Sequence, residues 1–414
     1  MMQKYDSYKD SGIQWLGEIP SHWEVKRLAS YFSERKVKVS DKDYEPLSVT
    51  KNGIFPQLEN VAKTNDGDNR KLVLQGDFVI NSRSDRKGSS GVSKYDGSVS
   101  LINIVLKPRK NVLPDYCNYI LKGYAFVEEY YRNGRGIVAD LWTTRFDEMK
   151  TIKICMPPLA EQQAIAAYLD EQTAKIDTAI AQQQKMIDLL NERKQIIINR
   201  AVTKGLNPNV KMKDCGVEWI GEVPEHWRIN KFRNLFKTRT GITFTKAQLE
   251  DDGEPVISYG QIHSKDNWGA SVNPSLIRHI PASLTKGKEG ALAYKGDFLF
   301  ADTSEDFEGC GNCVCIDTPK PIYAGYHTIL AKKDNNEHEQ YMAYLFASSK
   351  WRGQLRSMVN GVKVYSVTQS LLKAVIVLLP PKKEQTEIAE YITKRTILID
   401  AAIKRHVDRI KLLQ

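Results

Sequence analysis

The chain has 414 residues, 41% of them hydrophobic and 27% charged, which is enough for two or three domains with cores of their own. No apolar run approaches the eighteen or so residues of a membrane span, and no signal peptide opens the chain, which argues against the membrane and secreted classes and leads us to expect a cytoplasmic protein. The six cysteines are scattered rather than framework-spaced, and the net charge of +10 points to a polyanionic partner, nucleic acid first.

Residues 1–156 are expected to form a first mixed α/β domain. It opens with a segment from Asp10 to Trp23 that carries Trp15, Gly17, Glu18, Pro20 and His22. Two tryptophans, a Gly-Glu turn and a proline suit a docking segment, with the tryptophans as structural aromatics. Further on, Gly76-Asp77-Phe78 marks a turn running into a strand. Strand-like runs cover Lys71–Leu74 and Leu101–Leu106, and a helix is expected over Asp115–Arg132. After the Gly-Asp-Phe strand comes a run dense in hydrogen-bond donors: Asn81, Ser82, Arg83, Ser84, Arg86, Lys87 and Ser89. Phosphates are contacted by Lys, Arg and hydroxyls, and base edges by Arg, Lys, Asn and Gln, so this loop is the first candidate for DNA contact. Lys51 and Asn52 are further candidates.

Residues 157–204 read as one long helix. Its start is set by Pro157-Pro158, since proline is tolerated at the first turn of a helix and not inside it. Steps of three and four place Leu169, Ile176, Ile180, Ile187 and Leu190 in a narrow apolar seam, interrupted by Thr173 and Gln183. Such a seam is a coiled-coil pattern and needs a partner seam. Gly205 and Pro208 then stop the helix.

Residues 205–379 repeat the first block. The segment from Asp214 to Trp227 matches Asp10–Trp23 at eight of fourteen positions, and Gly296-Asp297-Phe298 repeats the strand landmark. Strand-like runs are Val256–Tyr259 and Ile322–Leu330, with a helix over Glu337–Arg356. The counterpart of the donor-rich loop runs from Ala301 to Phe307 and is acidic, so the two blocks are expected to read different sequences. Candidate contacts here are Arg239, Thr243, Lys246, Tyr259, Gln261, His263, Lys265, Thr303 and Ser304.

Residues 380–414 form the second long helix, again after a Pro-Pro step. From Glu384 to Leu413 it matches Glu161–Leu190 at thirteen of thirty positions without a gap. Its seam is Ile392, Ile399, Ile403, Ile410 and Leu413, broken by Thr396 and His406 where the first is broken by Thr173 and Gln183. The two helices are therefore expected to pair antiparallel. A helix of ~40 residues is a rod of about 60 Å.

Catalytic patterns are missing. Neither Pro-Pro step has the polar and aromatic flanks of an adenine methyltransferase tetrad, no phosphate loop occurs, and Glu148-Met149-Lys150 is too short a pattern to indicate a nuclease. Cys310, Cys313 and Cys315 with His327 lack a second cysteine pair and suit structural thiols on a strand better than zinc, so no metal is expected.

The Gly17-Glu18-Ile19-Pro20-Ser21-His22-Trp23 opening and its twin, the Pro-Pro-x-x-Glu-Gln starts (Pro157–Gln162, Pro380–Gln385) and the order block, rod, block, rod together resemble the DNA-specificity subunit of Type I restriction-modification systems. The resemblance covers the whole chain. It implies two target-recognition domains held apart by an antiparallel helix pair, each reading half of a split sequence in double-stranded DNA. It also implies two modification subunits that methylate adenine and restriction subunits that translocate and cut. S-adenosylmethionine, ATP and magnesium would then belong to those partners, with no cofactor on this chain. The rival readings are a coiled-coil scaffold for protein binding and a self-sufficient DNA enzyme.

Overall fold

The computed structural model describes residues 5–57, 67–136, 142–359 and 364–414. The chain divides into two compact units, Met1–Thr178 and Ala179–Gln414.

In the first unit the central sheet holds β1 (Phe32–Glu34), β2 (Phe78–Asn81), β3 (Ser90–Val92) and β4 (Asn103–Pro108), in the order β3-β2-β4-β1 with every pair antiparallel. Alternation along the strands sends Phe78, Ile80, Ile104 and Leu106 to one core and Val79 and Val105 to another. The first core is closed by helices α1 (Pro114–Lys122) and α2 (Tyr124–Arg132). The single helix expected over Asp115–Arg132 is thus two, because Gly123 adopts an extended ψ of 141° between them. The long helix α3 (Leu159–Lys204) follows directly on Pro157-Pro158.

The second unit repeats this plan. Strands β5 (Phe236–Thr240), β6 (Phe298–Ala301), β7 (Cys313–Cys315) and β8 (Thr328–Lys333) lie in the order β7-β6-β8-β5, all antiparallel. Phe298, Phe300, Cys313 and Cys315 face a core shared with helices α4 (Glu339–Ala347) and α5 (Ser349–Arg356), while Leu299, Val314 and Ile316 face the other side. Here too the expected helix is broken, at Ser348, whose extended ψ of 137° matches that of Gly123 and whose Oγ accepts from the Trp351 amide. The run Ile322–Leu330 is likewise two strands, Ile322–Ala324 and β8, with a turn between them, and Tyr259 begins a short helix, Tyr259–Ile262. Away from the shared sheet the units diverge. The first has a three-stranded sheet and a hairpin, and the second a four-stranded sheet with one parallel pair.

Both Gly-Asp-Phe landmarks are turns with a glycine in the left-handed region, φ 88° at Gly76 and 89° at Gly296. The buried aspartates hold those turns: Asp77 accepts from the Leu74 amide at 2.9 Å, and Asp297 from the Tyr294 and Lys333 amides at 2.8 and 2.7 Å.

The C-terminal part of α3 packs on α6 (Lys382–Leu413) within the second unit. Gln183 meets His406 at 2.7 Å and Lys194 meets Asp400 at 2.8 Å, so residue numbers rise along one helix as they fall along the other. Gln183 and His406 are counterparts in the repeat, and residues that touch their own counterpart lie beside a local two-fold axis. The seam is less dry than its pattern suggests. Ile187, Ile392 and Ile399 are buried, Leu169, Ile180, Leu190, Ile403, Ile410 and Leu413 are half-buried, and Ile176 is exposed. Two helices side by side shield a seam residue on one side only.

Candidate nucleic-acid interface

Each unit fastens its opening segment to its long helix through one glutamate. Glu161 accepts from Tyr5 Oη (2.8 Å) and Trp23 Nε1 (3.0 Å) and sits 2.6 Å from His22 Nε2. Glu384 repeats this with Trp227 Nε1 (3.1 Å) and His226 Nε2 (2.8 Å). The neighbouring glutamines tie the same helix ends to the core, Gln162 through the Leu113 amide and the Pro157 carbonyl, Gln385 through the His338 amide and the Pro380 carbonyl. The repeated Trp, His, Glu and Gln are therefore frame residues, and Trp23 and Trp227 are structural. Burial tends to raise the Glu161 pKa, but hydrogen bonds from Trp23, His22 and Tyr5 and the charge on His22 bring it below its ordinary value.

What the frame carries differs between units. In the first, the loop after β2 turns at Asn81, whose Oδ1 accepts from the Arg83 amide, and passes through a single 3-10 turn, Ser84–Arg86. Tyr131 of α2 donates its hydroxyl to the Asn81 carbonyl at 3.0 Å, and burial pushes its pKa up to about 12. Arg83, Arg86 and Lys87 are exposed and Ser84 is half-buried. Asn81, Ser82 and Ser89 are buried, unlike the other candidates of this loop, and Ser82 lies in the wall of a cleft beside Arg83. Lys51 and Asn52 form the exposed tip of the hairpin Leu47–Pro56, which approaches the loop where a Cβ on Gly91 would lie 3.1 Å from Gly53 Cα. Lys36, Arg83 and Arg145 share a cleft of about 470 Å³ with the exposed Leu101 and Ile102. The tip residues Leu101 and Ile102 were hidden by reading them as the start of a strand.

In the second unit, Thr303 and Ser304 form a short strand paired with Tyr365–Ser366, and Ser304 is buried with its Oγ donating to the Asp306 carbonyl. Gln261 caps its own short helix by accepting from the Ser258 amide. His263 donates Nε2–H to the Thr303 carbonyl at 2.8 Å and accepts from Asn312 at Nδ1. Ser304, Gln261 and His263 thus each have a partner within the fold, and Ser304 and His263 also line a cleft. Arg239, Thr243, Lys246 and Lys265 are exposed, and Tyr259 and Thr303 are half-buried.

The two loops face their second core helices with opposite polarity. In the first unit a basic loop meets an acidic helix, with Lys87 2.7 Å from Glu128. In the second an acidic loop meets a basic helix, with Arg356 2.9 Å from Glu308 and Arg352 donating to the Glu308 carbonyl. Burial and the adjacent Arg356 bring the Arg352 pKa down to about 10. A cleft of about 680 Å³ opens there, lined by Tyr259, His263, Glu305, Asp306 and Arg352.

Among the described residues no three His, Cys, Asp or Glu side chains are grouped to hold a metal ion. Cys313 and Cys315 point to one face of β7, as their spacing suggested, and burial raises both thiol pKa values. No helix among the described residues is long and apolar enough to cross a membrane.

The family model described as Type I restriction modification DNA specificity domain matches residues 20–187 and again 224–409. The MjaVIII specificity subunit of Methanocaldococcus jannaschii, a Type I restriction enzyme subunit, is 23% identical over 96% of this chain and 92% of its own length. The EcoKI specificity subunit of Escherichia coli K12 is 25% identical over 94% of this chain and 85% of its own. A solved chain from work on complex assembly and conformational transition of the type I R-M system superposes with a TM-score of 0.64 at 15% identity, covering 95% of both chains.

Proposed function

The chain belongs to the Type I restriction modification DNA specificity family, and from that premise we propose that residues 1–156 and 205–379 are its two target-recognition domains. Each reads one half of a split target in double-stranded DNA. The helices of 157–204 and 380–414 set the spacing and dock modification subunits. The observation that carries this reading is a frame built twice from the same residues around loops of opposite charge.

This chain carries no reaction of its own in that scheme. Adenine methylation with S-adenosylmethionine, and ATP- and magnesium-dependent translocation and cutting, fall to the partner subunits in the cytoplasm. Docking on the helices is supported by apolar side chains left in solvent: Met186, Leu189 and Ile196 on α3, and Ile397 and Leu398 on α6, the last two 61% exposed.

The test is to insert one heptad after Ile180 and a matching one after Ile403. Mapping methylated adenines in cells that express the subunit with its partners should show a changed separation and unchanged half-site sequences. Altered half-sites at constant separation would refute the spacing role. A gel shift with co-expressed partners separates this reading from a scaffold without DNA contact.

A further inference from the structure

The most unusual backbone in the described chain lies beside a recognition loop. His327 has φ 51°, the only non-glycine residue among those described in the left-handed region. Such strain persists where the surroundings hold it. Three groups hold it here. The Asp302 amide donates to the His327 carbonyl at 3.2 Å, Asp302 Oδ1 lies 2.9 Å from His327 Nδ1, and the ring packs against Tyr326 and Tyr259 with centroids 4.1 and 5.6 Å away.

The turn has a counterpart in the other unit. There the Ser82 amide donates to the Ile102 carbonyl at 3.3 Å, so Leu101–Ile102 occupies the place of Tyr326–His327 at the start of the matching strand. All four residues are exposed: Leu101 by 40%, Ile102 by 39%, Tyr326 by 38%, and the His327 side chain by 42%. One tip is aliphatic and the other aromatic and hydrogen-bonding, ahead of strands paired in the same way, and only the second has a left-handed residue.

The Asp302 contact settles what the imidazole offers. An ionised carboxylate only accepts, so Nδ1 carries the proton, and in the neutral ring Nε2 keeps its lone pair. No other hydrogen bond to this ring besides Asp302 and Thr303 occurs among the described residues. We propose that His327 is a specificity-determining residue of the second recognition domain, accepting at Nε2 from the exocyclic amino group of an adenine or cytosine in the major groove, with Asp302 as the positioning residue. Adenine N6 and cytosine N4 are the donors that groove presents. This rests on the function proposed above.

The experiment uses the full chain assembled with its modification subunits and a duplex library randomised across both half-sites, at fixed salt. His327→Gly removes the ring while suiting the left-handed backbone, so the variant should still fold and assemble. It should lose roughly tenfold or more of the preference at one base pair of one half-site and keep every other preference. Asp302→Asn can donate to Nδ1 and move the ring proton to Nε2, so the preference should shift from a base with an amino donor in the major groove to one with a carbonyl acceptor there, guanine O6 or thymine O4, which a merely structural role would not produce. Should His327→Gly fail to assemble, His327→Phe, which keeps an aromatic ring against Tyr326 and Tyr259 and removes the Nε2 acceptor, gives the same readout. Unchanged preferences at every position in an assembled variant would overturn the proposal. A parent complex that selects no sequence would instead overturn the function on which it stands.

Discussion

At the scale of single residues, the side chains that matter most to the frame are acceptors placed where backbone or ring N–H groups converge. Asp297 uses both carboxylate oxygens on separate amides, so Asp297→Asn turns an N–H₂ towards one of them. We expect a loss of about 1–3 kcal/mol in the second unit, read as a lower melting temperature with the first unit unaffected. Glu161 has a pKa held below its ordinary value in the folded protein. Its stabilisation is therefore present above the unfolded carboxylate range and is lost as pH falls through the lower folded value. Acid titration of the first unit's melting temperature should show that loss, and Glu161→Gln should flatten it. In sequence these residues were visible only as a repeated motif, since a glutamate and a tryptophan separated by more than a hundred positions carry no mark of being partners. The same holds for candidate contacts. The exposure of Arg83 and Lys87 was legible because charged side chains mostly face solvent. The turn at Asn81 and the cap at Gln261 were not legible, because amides serve turns and caps as readily as ligands.

At the scale of elements, Gly205 ends α3 at φ 69°, and a Cβ there would come within 2.8 Å of the glutamate that fastens the opening segment of its unit, Glu384. Gly205→Ala should cost about 1–2 kcal/mol by backbone strain alone and also disturb the Trp227 hydrogen bond, measurable by hydrogen exchange around Pro224–Trp227. The long helices and their antiparallel pairing were legible in advance because a periodic seam with matching interruptions has few other solutions. Helix breaks at Gly123 and Ser348 were not, since both fall within runs that read as one helix across them. Strand order was also out of reach, because short strands of similar composition pair according to tertiary contacts.

At the scale of the molecule, dissimilar heads on one frame should titrate separately. Arg83→Ala should weaken recognition by about 1–3 kcal/mol if the side chain spans a guanine, and only at one half-site, measured by competition between targets altered in one half at a time. Lys87→Gln should instead weaken all sequences alike and lower the slope of log affinity against log salt by about one. The reversed polarity of the two clefts has a consequence for recombining such proteins. Grafted alone into the first unit, the segment Glu305–Glu308 would meet the carboxylates of Glu128 and Glu129 instead of two guanidinium groups. The smallest piece that can be traded between heads is therefore the loop together with the helix behind it, and chimaeras cut between the two should be poorly tolerated even when every strand junction is preserved.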